Sequence, residues 1–111
     1  MKDSKIYIDL FKVFCDIAKT KSFSKAAERN FISQSAVSQQ ISFLETHFDK
    51  KLIIRGKGKF SLTPEGRLFL SGCHAILNLF QETIDLMDAQ LGDRKQTFNI
   101  ETIYSNDTSF N

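Results

Sequence analysis

Most apolar positions between residues 7 and 91 fall into helical rows separated by short polar gaps. Tyr7, Leu10, Phe11, Phe14 and Ala18 recur at three- and four-residue spacing, with Asp9, Lys12, Asp16 and Lys19 between them. That period predicts an amphipathic helix over about 5–19, broken at Lys21-Ser22. A short second helix, KAAERN, follows with Ser24 as its N-cap. Ala26 and Ala27 are small enough to let another helix pack closely. Asn30 suits the left-handed conformation that ends a helix, and Phe31 and Ile32 fill the turn with apolar bulk. Ser33 then caps a third helix. At 100° per residue, Val37, Ile41, Leu44 and Phe48 fall within an arc of roughly 60°, which defines a buried side. Ser35, Ser38, Gln39, Ser42 and Thr46 cluster opposite. Two short helices joined by a tight turn are a helix-turn-helix.

The helical period lapses at KKLIIRGKGKFSLT. Leu52 to Arg55 and Phe60 to Leu62 favour strands, and Gly56-Lys57-Gly58-Lys59 between them reads as a basic hairpin tip with two glycines for unusual backbone angles. A hairpin directly after a helix-turn-helix is a wing. Thr63-Pro64-Glu65 then starts a helix, with Thr at the cap, Pro at the first position and an acid in the first turn. Phe69, Cys73, Ile76, Phe80, Ile84, Met87 and Leu91 step by three and four, and Leu68, Ala75, Leu79 and Leu86 form a second row. Run from 64 to 91 and ended by Gly92, this helix would be about 42 Å long. A headpiece of this size cannot bury it all, so the apolar stripe calls for a partner, most simply a second copy. Residues 93–96 read as a linker, and TFNIETIY has strand character. One strand cannot fold alone, so it is expected to open a further domain that is absent.

The predicted fold class is therefore mainly α. Residues 1–63 form a winged helix-turn-helix of three helices and a two-stranded wing. Residues 64–92 form a dimerising linker helix, and residues 93–111 a hinge and first strand.

Composition adds little until charge is divided along the chain. The 111 residues are 41% hydrophobic and 25% charged, with a net charge of +2. That balance is globular. Residues 1–66 carry ten Lys and two Arg against seven acids, a surplus of +5, whereas residues 67–111 carry three bases against six acids, −3. A basic first part points to a polyanion partner. No apolar run is long enough to span a membrane and no signal peptide is visible, so a cytoplasmic location is expected. Cys15 and Cys73 both fall in apolar helical rows and read as reduced core thiols. His47 and His74 sit in no cluster with ligand spacing, so neither a metal nor a cofactor is expected. A Ser/His/Asp triad lacks a nucleophile elbow or oxyanion loop to hold it, and no enzymatic activity is expected.

SFSKAAERNFISQSAVSQQISFLE followed by KKLIIRGKGKFSLTPEGRLFL resembles the N-terminal region of LysR-type transcriptional regulators. The sharpest matches are Ser22-Phe23-Ser24, Ala26-Ala27, Ser33 through Ser38, Gln40-Ile41, Leu44-Glu45, Arg55, and Leu62-Thr63-Pro64 with Gly66. The resemblance implies a winged helix-turn-helix, a dimerising linker helix and a C-terminal domain through which a small-molecule effector acts. It also implies that the residues matching Gln34, Ser35 and Gln39 touch bases most often. The family frequently has Arg where Gln39 stands. Gln there removes a charge that would favour guanine and lowers the expected attraction to phosphate.

The residue types give the same reading without the family. A helix entering the major groove must approach phosphates and base edges, so acids on that face would be repelled. Gln pairs in a bidentate way with adenine N6 and N7, and Ser donates or accepts. Gln34, Ser35, Ser38, Gln39 and Ser42 are the candidate base readers. The helix N-termini at Ser24, Ser33 and Thr63 offer N–H groups to phosphates, and Lys50, Lys51, Arg55, Lys57 and Lys59 add charge. The family commonly has Arg at the position of Gly58, and the flanking lysines are expected to substitute. Arg55 has a second expected role, an ion pair with Glu45. Leu68, Phe69, Cys73, Ile76, Leu79, Phe80, Ile84 and Met87 form the expected dimerisation stripe. The expected partners are operator duplex DNA and a second copy of the chain, as a homodimer or tetramer. The rival class is a protein-interaction module whose long helix captures another protein, with no reading of DNA.

Overall fold

The structure is a computed structural model that describes residues 6–56 and 58–90. Lys57, the helix end at Leu91-Gly92, the linker at 93–96 and the predicted strand after it lie outside the described residues. The chain divides into two units, 1–77 and 78–111, each taken by itself.

The first unit is a three-helix headpiece with a hairpin. α1 (Ile8–Thr20), α2 (Phe23–Asn30) and α3 (Gln34–Phe48) precede β1 (Ile53–Gly56) and β2 (Lys59–Leu62), and α4 (Pro64–Gln90) begins in this unit. Leu10, Val13, Phe14 and Ile17 of α1 meet Phe23, Ala26 and Ala27 of α2 and Val37, Ile41 and Leu44 of α3 in one core. Leu52, Ile53 and Cys73 complete it. Each large side chain so buried contributes about 1.5–3 kcal/mol. Ala26 and Ala27 are both buried, as their size predicted.

The helix ends depart from the sequence expectation, for local reasons. Ser22, not Ser24, caps α2: its hydroxyl accepts the Lys25 N–H at 3.0 Å. Ser24 lies within the helix, its Oγ 3.2 Å from that of Ser22. Asn30 stays helical because its amide donates to the Ala26 carbonyl and the Asp16 carboxylate, both at 2.8 Å. Phe31 takes the left-handed cap instead, at φ 57°. Phe31 does not fill the turn: it is 95% exposed, and Ile32 alone packs against the core. Tyr7 is also exposed, standing at the N-cap of α1 rather than within its apolar row.

Asp16, one of the polar positions between the apolar residues of α1, is only 7% exposed. Lys12 Nζ reaches its carboxylate at 3.1 Å and Arg29 Nε at 3.2 Å, so α1 and α2 are joined by a shared acid as well as by the core.

The hairpin pairs antiparallel, Ile53 with Leu62 through Gly56 with Lys59. That register leaves positions 57 and 58 of the sequence between the paired strands. Gly58 has φ +75°, but Gly56 does not need the left-handed region, so one glycine rather than two supplies the unusual angle. Thr63 caps α4 as expected: its hydroxyl accepts the Gly66 N–H at 2.9 Å and donates to the Lys51 carbonyl at 2.6 Å. A Cβ at Gly66 would collide with the Leu52 carbonyl, so the close approach of α4 to the wing requires glycine there.

Phe69 and Cys73 correct the stripe assignment. Cys73 is 1% exposed in the headpiece core. The Phe69 ring meets Phe14, Phe48 and Phe11 edge-on, with centroids at 4.9, 5.3 and 6.1 Å. Such edge contacts are worth about 0.5–1.5 kcal/mol each beyond burial. The apolar period of α4 is thus used inside the headpiece at its start. In the second unit, Leu79, Phe80, Leu86 and Met87 of α4 are exposed, and Ile84 is half-buried. Among the described residues, no helix is long and apolar enough to cross a membrane.

Candidate nucleic-acid interface

α3 is aimed by its cap and by its buried row. The Ser33 hydroxyl accepts the Ala36 N–H at 3.0 Å and fixes the first turn. Val37, Ile41 and Leu44 then hold one side against the core. The opposite side is left outward: Gln34, Ser35, Gln39 and Ser42 are exposed and Ser38 is half-buried. These five residues therefore share an accessible flank, in accord with the patterning of the sequence.

α3 itself carries one acid. Glu45 stands eleven residues after Gln34, roughly 20° around the helix from it. Its side chain is turned inward and is 16% exposed. Oε2 accepts the N–H groups of Leu52 at 2.8 Å and Ile53 at 3.2 Å, and Oε1 lies 3.5 Å from Lys51 Nζ. The carboxylate is spent on holding the chain that enters the wing. A charge that would oppose a polyanion is thereby both neutralised and withdrawn.

The expected Arg55–Glu45 ion pair is not formed. The Arg55 guanidinium instead lies over the Phe23 ring, 3.9 Å from its centroid. Ser22, Ser24, Gln34, Arg55 and Lys59 line one open groove between the starts of α2 and α3 and the wing. Its polar groups are hydroxyls, an amide and cations. Lys50 and Lys51 line a shallow depression beside Ser42 that also holds Glu45 and Asp49, so their charge is partly offset. Thr63 is 8% exposed with its hydroxyl bonded internally, so its side chain shapes the start of α4 rather than facing a ligand.

Glu45, Asp16 and Phe23 are the contributors that periodicity alone did not single out. The signal for Glu45 was present, since it is the only acid among residues 32–45. What it binds is a tertiary contact that no spacing reveals.

The thiols behave as core groups. Burial, then the neighbouring Cys15, pushes the Cys73 thiol up to about 12. Burial, followed by the charge of Asp16, raises that of Cys15. Both therefore stay protonated near neutral pH, the state of least nucleophilicity. Among the described residues, no group of three His, Cys, Asp or Glu side chains is placed to hold a metal ion.

Comparison with known proteins gives a consistent answer. Residues 8–67 match the model of the bacterial regulatory helix-turn-helix proteins of the lysR family. An uncharacterized HTH-type transcriptional regulator of Methanocaldococcus jannaschii is 46% identical over 82 residues, which are 74% of this chain and 28% of that protein. A probable RuBisCO transcriptional regulator of Phaeodactylum tricornutum is 40% identical over 79 residues, 70% of this chain and 26% of that one. The chain thus spans little more than a quarter of the length of these curated relatives. Among solved structures, the BenM DBD in complex with catB site 1 DNA superposes with a TM-score of 0.74 at 25% identity, covering 79% of this chain and 98% of that one. Vibrio fischeri DarR in complex with DNA gives a TM-score of 0.69 at 30% identity, covering 85% of this chain and 31% of that one. The helix-turn-helix, the two-stranded wing and the long following helix are those of a winged helix-turn-helix DNA-binding regulatory domain, and the chain belongs to the lysR family of bacterial regulatory helix-turn-helix proteins.

Proposed function

We propose that this chain binds double-stranded DNA sequence-specifically, as a homodimer, and that its occupancy of an operator activates or represses transcription. The observation that carries this reading is the outward flank of α3. Gln34, Ser35, Gln39 and Ser42 are exposed there and Ser38 partly so, with the only carboxylate of α3, Glu45, turned inward. Such a flank suits a major groove, where amides and hydroxyls can read base edges. Arg55 and Lys59 beside it supply cations toward the adjacent backbone, with Ser22, Ser24 and Ser33 at the helix starts. Lys57 is assigned to the same role from its place in the sequence between Gly56 and Gly58.

The dimer is proposed to form through the exposed apolar residues of α4. Leu68, Ile76, Leu79, Phe80 and Met87 are solvent-exposed, and Ile84 is half-buried. Two recognition helices would then enter successive major grooves about 34 Å apart, or a multiple of that, on a partly symmetric site. By the family pattern a small-molecule effector would act through a C-terminal domain rather than through these residues.

Binding to random duplex DNA across a salt series tests the reading. Affinity should be measurable at low salt and fall steeply as salt rises, with a slope set by the number of phosphates contacted. Absence of binding at low salt would favour the protein-interaction alternative. Selection from a random oligonucleotide pool should then yield a partly symmetric site.

A further inference from the structure

Among the described residues, Arg55 is the one cation of the groove held by an aromatic ring. Its guanidinium sits 3.9 Å above the centroid of Phe23. Phe23 is itself fixed: it is 6% exposed, packed in the core, and is the first residue of the helix that Ser22 caps. Among the described residues no carboxylate lies within ion-pair distance of Arg55, since Glu45 pairs with Lys51 and Asp16 with Lys12 and Arg29. The difference matters chemically. An acid would hold the guanidinium but cancel the charge a phosphate needs. A ring face holds it and leaves the charge and the in-plane N–H donors free.

We propose that Phe23 is a positioning residue for DNA binding: its ring presets the Arg55 guanidinium toward the groove shared with Ser22, Ser24 and Lys59, where a backbone phosphate of the duplex is held. The inference rests on the DNA-binding reading and deepens it. A flexible arginine must lose side-chain freedom when it grips a phosphate. Arg55 has lost part of that freedom before DNA arrives, so the ring contributes to affinity without touching DNA. The effect is independent of sequence, because a phosphate is the same at every step.

The test uses the full chain and a random-sequence duplex of about 30 base pairs at low salt. Phe23→Leu keeps an apolar core residue but removes the π face, and should weaken binding about 3- to 10-fold. Phe23→Tyr keeps the face and should bind like the parent. The Arg55 Nε–Hε resonance should be ring-shifted upfield in the parent and in Phe23→Tyr, and should return toward the random-coil position in Phe23→Leu. In an Arg55→Ala background Phe23→Leu should cost no further affinity. An equal loss in both backgrounds would mean that Phe23 acts only through the fold, and would overturn the proposal. So would unchanged binding by a folded Phe23→Leu variant. If Phe23→Leu does not fold, Arg55→Lys carries the test. Lysine keeps the charge but stacks less well, so parent-like affinity there would overturn the proposal. Failure of the parent chain to bind any duplex would defeat the DNA reading itself, whereas these variant outcomes strike only the role of Phe23.

Discussion

Phe31 is one of three non-glycine residues, among those described, that sit in the left-handed region. It is an aromatic residue at φ 57°, and it is 95% exposed. A left-handed conformation brings Cβ close to the following carbonyl and costs about 1–2 kcal/mol for most residues. Asn relieves that cost through its short polar side chain, and no packing is lost when the ring contributes none. Phe31→Asn should therefore stabilise the chain by about 1 kcal/mol, seen as a higher melting temperature. A lower one would mean that the ring makes contacts the fold depends on. The sequence had offered Asn30 for this conformation. Residue preference was read correctly as a rule, but Asn30 is held in the helix by its bonds to Asp16 and Ala26. The same limit applies to the two serines of Ser22-Phe23-Ser24. Either can cap a helix by type, and only backbone geometry decides that Ser22 does.

At the scale of elements, periodicity was informative wherever a helix buries one side. Val37, Ile41 and Leu44 of the α3 row became core and the polar flank of α3 stayed outward, whereas of the α1 row only Leu10 and Phe14 are buried, beside Val13 and Ile17, which the row had left out. Periodicity could not say what covers a row. Phe69 and Cys73 belong to the same spacing as Ile76 and Phe80, yet they pack inside the headpiece. Pairing between elements was equally hidden. Arg55 and Glu45 were matched by charge, but the carboxylate instead receives two backbone N–H groups where the chain enters the wing. Those donors need an acceptor, because an unpaired buried N–H costs about 1–3 kcal/mol. Glu45→Ala should thus destabilise the chain by about that amount, measured by denaturant unfolding. It should also raise amide exchange at Leu52 and Ile53 before it does so in α1. Uniform exchange across the headpiece, or no loss of stability, would contradict the assignment.

The described residues combine an uncharged outward flank of α3, a cationic groove and an exposed apolar face of α4. The last of these bears on assembly. Phe80→Asp places a charge among the exposed apolar residues of α4 and should leave a monomer with weakened operator binding, because one half-site then binds alone. Sedimentation showing an intact dimer would refute the role of that face. The reading flank is the central claim, and comparing one selected site with random duplex tests it most directly. Gln34→Ala and Gln39→Ala should each lose about 1–3 kcal/mol at the selected site and almost nothing on random DNA. Lys59→Ala should weaken both alike. Equal losses on the two duplexes for the glutamine variants, or none on either, would contradict base reading by α3.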